Sequence, residues 1–155
     1  MSKTTEFLTT IRRTVKLHES MLKKVCEEYQ LTLIEATIIS FLHNNPEKDT
    51  AADIVELRML QKGNVSQAVE SLTKKSLLQR KPDEADRRKI HLFMTEEADP
   101  IVQSIESFWK AFQEEIFAGI SVEEQEVFER INERIKMNTQ RAMEKREQER
   151  NGNDV

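Results

Sequence analysis

One cysteine, three glycines and three prolines in 155 residues each remove a set of options. Cys26 alone cannot close an intrachain disulfide or build a cysteine-based metal cluster, and a free cysteine usually packs as a small hydrophobe rather than acting as a sensor. No apolar run approaches the roughly 20 residues that cross a bilayer, and the N-terminus lacks the basic, apolar and small-residue order of a signal peptide. A cytoplasmic chain with no membrane partner is the expectation. His18, His43 and His91 are spread over three segments, which suits capping or surface roles better than ligation, so no metal is expected. No Ser-His-Asp or Cys-His grouping, glycine-rich phosphate loop or paired-carboxylate pattern stands out either. The chain therefore reads as no enzyme and as needing no cofactor.

Between the few glycines and prolines lie long stretches of Glu, Lys, Gln, Arg, Met and Leu, the residues that enter a helix at least cost. The length suits one domain over 1–155. Net charge is −4, but it is unevenly spread: residues 1–57 sum to −2, residues 58–91 to +5 and residues 92–155 to −7. The middle third is a basic island in an acidic protein, a pattern that fits a polyanionic partner better than the average does.

The periodicity gives the order of elements. Phe7, Leu8, Ile11, Val15, His18, Leu22 and Val25 recur at three- and four-residue steps and predict a long first helix. Thr32 followed by Glu35 forms a capping box for a second helix carrying Ala36, Ile38, Ile39, Phe41 and Leu42, which Asn44-Asn45-Pro46 stops. Thr50 and Asp53 repeat that logic for a short third helix, and Gly63 is expected to mark a tight approach to a fourth that runs to about Lys75. In this fourth helix Val65, Ala68, Val69 and Leu72 form the apolar stripe, leaving Asn64, Gln67, Ser71 and Lys74 on another face. Residues 77–81 and 90–94 break the helical period around the charged loop 82–88 and predict a two-stranded hairpin that must pack on the helices.

Beyond Thr95 a fifth helix carries Ile101, Ile105, Phe108, Phe112 and Ile116, beginning either from Thr95 or from Asp99 with Pro100 at its first position. Gly119 ends it. Ser121 and Glu124 then cap a sixth helix with Val127, Phe128, Ile131 and Ile135, expected to give way to a disordered charged tail over 148–155. The fold class is thus mainly α with a small β-hairpin: a winged helix-turn-helix over about 31–95, flanked by long N- and C-terminal helices over about 5–30 and 96–147.

A helix-turn-helix can lay its second helix in the major groove, where Asn and Gln pair bidentately with adenine. Asn64 and Gln67 suit base edges, while Lys62, Ser66, Ser71 and Lys74 suit phosphates, although an ordinary polar helix face is the alternative for this set. At the hairpin tip Arg87 and Arg88, with Lys89, can enter the minor groove, whose negative potential favours guanidinium, and Asp83 or Asp86 can brace one arginine. The alternative is a solvated charged loop. A winged helix that binds another protein is the rival class of function.

The stretch from Leu60 through Gly63, Asn64, Gln67 and Lys75 to Asp83, followed by Asp86-Arg87-Arg88-Lys89 and Met94-Thr95-Glu96-Glu97, resembles the MarR family over nearly the whole chain. The resemblance implies a homodimer, formed by the first and last two helices, that binds a pseudo-palindromic operator in double-stranded DNA as a transcriptional regulator, a repressor in the simplest form. It makes Arg88 the minor-groove arginine and Asp86 its brace. It also implies a small aromatic effector in a crevice between dimer base and DNA-binding lobe, for which His18, Tyr29, Phe41 and Trp109 are the candidates. The chain departs from the family's usual glycines at Ser76 and Ala98, and Cys26 lies late in the first helix, away from the family's peroxide-sensing position.

Overall fold

The computed structural model describes residues 1–153. Its elements are α1 (Lys3–Tyr29), α2 (Leu33–Asn44), α3 (Ala51–Arg58), α4 (Lys62–Lys74), β1 (Leu78–Pro82), β2 (Ile90–Met94), a 3-10 turn (Glu96–Ala98), α5 (Asp99–Ile116) and α6 (Val122–Asn153). This is the mainly α chain with one antiparallel hairpin that the sequence predicts, the strands pairing from Leu78 opposite Met94 to Pro82 opposite Ile90. Residues 1–113 make one compact unit and the segment from Glu114 onward a second.

In the first unit α4 packs against both α2 and α3, and the hairpin packs on α2, α3 and α4. Ile38, Ile39, Ile54, Val65, Leu72, Leu78 and Leu92 are buried there, as the apolar stripes require. Burying each such side chain stabilises by about 1.5–3 kcal/mol, which fixes the faces that the helices must turn inward. The polar face of α4 is left outside as a consequence.

Side chains set the helix starts. Ser2 accepts the Thr5 amide, and Thr50 and Asp53 satisfy each other's backbone N–H at 3.2 Å in each direction. At α2 only half of the expected capping box forms. Thr32 accepts the Glu35 amide at 3.2 Å, but the Glu35 carboxylate turns inward instead of back to Thr32. It is buried, accepting from Lys75 Nζ at 2.7 Å and from the Ser71 hydroxyl at 3.2 Å, while the same Lys75 ammonium donates to the Gln30 carbonyl at 2.9 Å. One carboxylate thereby joins α2 to the end of α4, and one ammonium joins both to the end of α1.

The helix ends replace glycine with a repeated device. Gln30, Met59 and Ser76 take left-handed conformations with φ of 53°, 51° and 61°. In each case the amide of the following leucine reaches back five residues, from Leu31 to the Cys26 carbonyl, Leu60 to Val55 and Leu77 to Leu72. Leu31 and Leu77 are buried and Leu60 half-buried, supplying the apolar contact that accompanies such closures. The turn at Ser76 therefore keeps the geometry that a glycine would favour. Ala98 is different: it is fully buried in the 3-10 turn with no positive φ.

Three expectations need correction. A Cβ added at Gly63 meets nothing within 4 Å, so this glycine marks open space rather than a tight approach. Asp99 is itself helical, with φ −55° and ψ −44°, because the 3-10 turn ahead of it already starts the winding; Thr95 leads into that turn with its hydroxyl on the Ser76 carbonyl at 2.6 Å. The tail assigned to 148–155 as disordered continues α6 through Asn153, and Asp154 and Val155 lie outside the described residues. Gln148, Glu149 and Arg150 are good helix formers, and extending an existing helix needs no new nucleus.

In the second unit Gly119 adopts φ 76°, Ser121 and Glu124 cap α6 reciprocally, and the rings of Phe117 and Phe128 meet edge-on at 5.7 Å. No residue of α6 is buried.

Two stability measurements check these assignments. Lys75→Met strands the Glu35 carboxylate and should destabilise by about 2 kcal/mol, less than a fully buried pair loses because Lys75 is partly solvated; adding Glu35→Gln should recover part of it in urea unfolding. Ser76→Gly should raise Tm, relieving about 1 kcal/mol of left-handed strain, and a lowered Tm would contradict that account of the turn.

Candidate nucleic-acid interface

Helix α4 begins differently from its neighbours. Its cap residue, Gln61, makes no side-chain cap hydrogen bond and instead accepts from Asn64 Nδ2 at 3.3 Å. The first backbone N–H groups of α4 therefore have no side-chain cap, and the space around Gly63 is open. Such an open N-terminus favours an anion by its free donors and its dipole. Lys62, Asn64, Ser66 and Gln67 are all exposed around it.

The rest of the sequence-derived set divides. Ser71 is half-buried with its hydroxyl on Glu35, so it serves the interior tie rather than a phosphate. Lys74 is exposed, and its ammonium lies 3.3 Å from Glu70 one turn earlier. Arg87, Arg88 and Lys89 are exposed at the hairpin tip and form no ion pair among the described residues. They are free cations on the same chain segment as the positive charge island.

The acidic residues of the wing do not grip an arginine side chain. Asp86 Oδ1 accepts the backbone amide of Arg88 at 3.0 Å, and Asp83 Oδ2 accepts those of Ala85 and Asp86 at 3.1 and 3.0 Å. Both carboxylates brace the loop's backbone, which sets where the guanidinium groups start without neutralising them. The other Asp83 oxygen meets His91 Nε2 at 2.7 Å, while His91 Nδ1 meets Asp49 Oδ1, also at 2.7 Å. The Asp83 carboxyl is held down to about 2 by the His91 hydrogen bond first and by the Asp86 and Ala85 amides next. The His91 ring is raised above its ordinary value by its bonds to Asp83 and then Asp49.

The sequence suits His91 to a capping or surface role, and neither Asp49 nor this bridge is legible in it. The two partners lie 42 and 8 residues away, and only the pairing of β2 beside the head of α3 brings them together. A faint signal exists in retrospect: His91 interrupts the apolar strand between Ile90 and Leu92. The Asp53 carboxyl nearby is held below its ordinary value, against desolvation, by Thr50 and by the charges of Lys48 and Lys89.

A separate crevice of about 560 Å³ opens between α1, α2, the end of α3 and α5. It brings together two of the four candidate effector residues, His18 and Trp109, beside Arg58, Met59 and Phe112. Tyr29 is elsewhere, its hydroxyl on the Pro100 carbonyl and Ser104, and Phe41 is in the core. The His18 ring sits among Phe108, Trp109 and Phe112 with centroids 5.0–5.3 Å away. Its Nε2 is buried without a hydrogen-bond partner among the described residues, and burial, then Arg58, push its pKa down. Cys26 is buried in α1 and its thiol is pushed up by burial, which disfavours the reactive thiolate.

No helix is long and apolar enough to cross a membrane, and no group of three potential metal ligands stands together among the described residues. Residues 29–89 match the profile of the MarR family. A structure of a MarR-family transcriptional regulator from Silicibacter pomeroyi superposes with a TM-score of 0.72 at 17% identity, covering 83% of this chain and 86% of that one. Bordetella bronchiseptica BpsR, described for regulation of its DNA binding by 6-hydroxynicotinic acid, superposes at 0.63 with 20% identity over 83% and 91%. An S. aureus MepR mutant bound to an oligodeoxyribonucleotide superposes at 0.53 with 16% identity over 90% and 99%. The winged lobe over residues 29–89 thus matches the MarR family, and most of the chain shares the fold of structures of MarR-family regulators.

Proposed function

We propose that this protein is a homodimeric transcriptional regulator that binds a pseudo-palindromic operator in duplex DNA, with α4 in the major groove and the wing in the minor groove. The observation that carries this reading is the uncapped, side-chain-poor start of α4 beside Lys62, Asn64 and Gln67, on a chain whose free arginines stand at the wing tip. Phosphates can approach the helix start, and base edges can meet Asn64 and Gln67. MepR supports it as a relative in fold bound to an oligodeoxyribonucleotide.

Two unpartnered apolar faces support dimerisation. Phe7, Leu8, Ile11 and Val15 are exposed along α1, and Val127, Phe128, Ile131 and Ile135 along α6. A monomer rarely leaves two such stripes in water, and a second copy of the chain covers them. Occupancy of promoter DNA blocks transcription, and an effector that favours a different half-site spacing lifts the block. The effector site is the crevice at His18 and Trp109, whose orphan nitrogen and aromatic walls suit a small aromatic molecule with one polar group. BpsR, whose DNA binding responds to 6-hydroxynicotinic acid, supports it.

Selection of bound duplexes from a random pool should enrich a palindrome. On that sequence Arg88→Ala should weaken binding about tenfold or more, and Lys62→Ala should lower the salt slope by about one, whereas Gln67→Ala should relax preference at one base pair per half-site. Failure to enrich any palindrome would favour a protein-binding winged helix instead. For the effector, Trp109 is the only tryptophan, so its fluorescence reports directly on the crevice. Benzoate and hydroxylated benzoates should quench it saturably in the native protein and not in His18→Leu; equal quenching in both would remove His18 from the site.

A further inference from the structure

Resting on the DNA-binding reading, we propose that His91 is a positioning residue for the wing: as an imidazolium it clamps the hairpin loop to the head of α3, and duplex affinity falls when the ring loses its proton. The argument starts from hydrogen-bond capacity. A neutral imidazole has one N–H and one lone pair, so it can donate to only one acceptor. His91 has a carboxylate oxygen 2.7 Å from each ring nitrogen, and both contacts are hydrogen bonds only when both nitrogens carry protons. Deprotonation leaves a lone pair facing a carboxylate on one side, and that link opens.

The links run in series from the helix-turn-helix to the wing arginines. Asp49 immediately precedes Thr50, the cap of α3, and its carbonyl also accepts the Leu92 amide of β2 at 2.8 Å. His91 joins Asp49 to Asp83. Asp83 in turn holds the amides of Ala85 and Asp86, and its own amide donates to the Lys89 carbonyl at 2.8 Å to close the loop. Asp86 then holds the Arg88 amide. The hairpin tip is exposed, and its one apolar residue, Ala85, is exposed as well, so its direction depends on this polar chain.

The charged surroundings are few. Asp49 and Asp83 face the ring, Lys81 is its cross-strand partner on β1, and Lys48, Lys89 and Asp53 gather at the head of α3. Phe93, two residues along the strand, brings no charge, its ring centroid 6.4 Å from that of His91. Histidine is the side chain that changes charge between about pH 5 and 8. The sign follows from the raised pKa: the clamp is complete below the ordinary histidine value and is lost as pH rises through the raised one. At the acid end the Asp83 contact persists until that carboxyl takes a proton near 2.

The test is the pH profile of binding to the selected duplex, followed by anisotropy at constant ionic strength from about pH 6 to about pH 9. Wild-type affinity should fall about tenfold across the titration, corresponding to one pKa unit of coupling. His91→Gln should bind about tenfold more weakly at the acid end and show a flat profile. Parallel slopes for wild type and His91→Gln would overturn the proposal. A DNA-free measurement stands beside it: in wild-type NMR spectra the amides of Ala85, Asp86 and Arg88 should shift with the same midpoint as the His91 ring, and amides that stay still would equally overturn it. The underlying DNA reading fails separately, if Arg88→Ala binds the duplex as tightly as wild type.

Discussion

A carboxylate with almost no water around it governs where α4 can sit. Glu35 is buried in α2, and its charge is tolerated only because Lys75 and Ser71 arrive from the end of α4 to meet it. Removing an ion from water costs several kcal/mol, so such a pair adds little net stability compared with an apolar filling. What it adds is registry. A slide or rotation of α4 along its apolar stripe would keep much of the hydrophobic contact but would leave Glu35 alone. Lys75 extends the constraint to the end of α1 through the Gln30 carbonyl, so the orientation of the helix-turn-helix is referred to the long first helix.

The second constraint is electrostatic segregation. A chain of net charge −4 approaches a polyanion only if its acids are kept away from the contact or used internally. The acids of residues 83–86 illustrate internal use. Asp83 and Asp86 spend their lone pairs on backbone amides and His91, leaving Arg87 and Arg88 unpaired among the described residues. The wing thus carries a high density of both signs without cancelling the one that matters for phosphate.

Much of this was legible in the sequence, and what was not shares a physical cause. Apolar periodicity and capping residues located the six α-helices, and the break in period at Leu77 located the hairpin, because these signals are local. The exposed positions of Lys62, Asn64, Ser66 and Gln67 follow from the same stripe. Polar side chains that bond across long sequence distances were not legible. Glu35 reads as a capping residue, Ser71 as a phosphate donor and His91 as a surface histidine, and each has its partner 36 to 42 residues away or beyond a turn. Asp86, expected to brace an arginine side chain, accepts the Arg88 backbone amide instead. In the crevice, His18 and Trp109 come together, whereas Tyr29 and Phe41 belong to the packing between helices and to the core.

The three helix ends at Gln30, Met59 and Ser76 have a consequence for how this chain changes over time. Each turn is written into backbone conformation and into the leucine that follows, not into the identity of the residue at the turn. Such positions can drift among many residue types at small cost, excluding proline and disfavouring β-branched side chains, while the shape stays the same. Leu31, Leu60 and Leu77 are therefore the better markers of descent. A comparison that tracks glycines would see this sequence as divergent where its architecture has not moved.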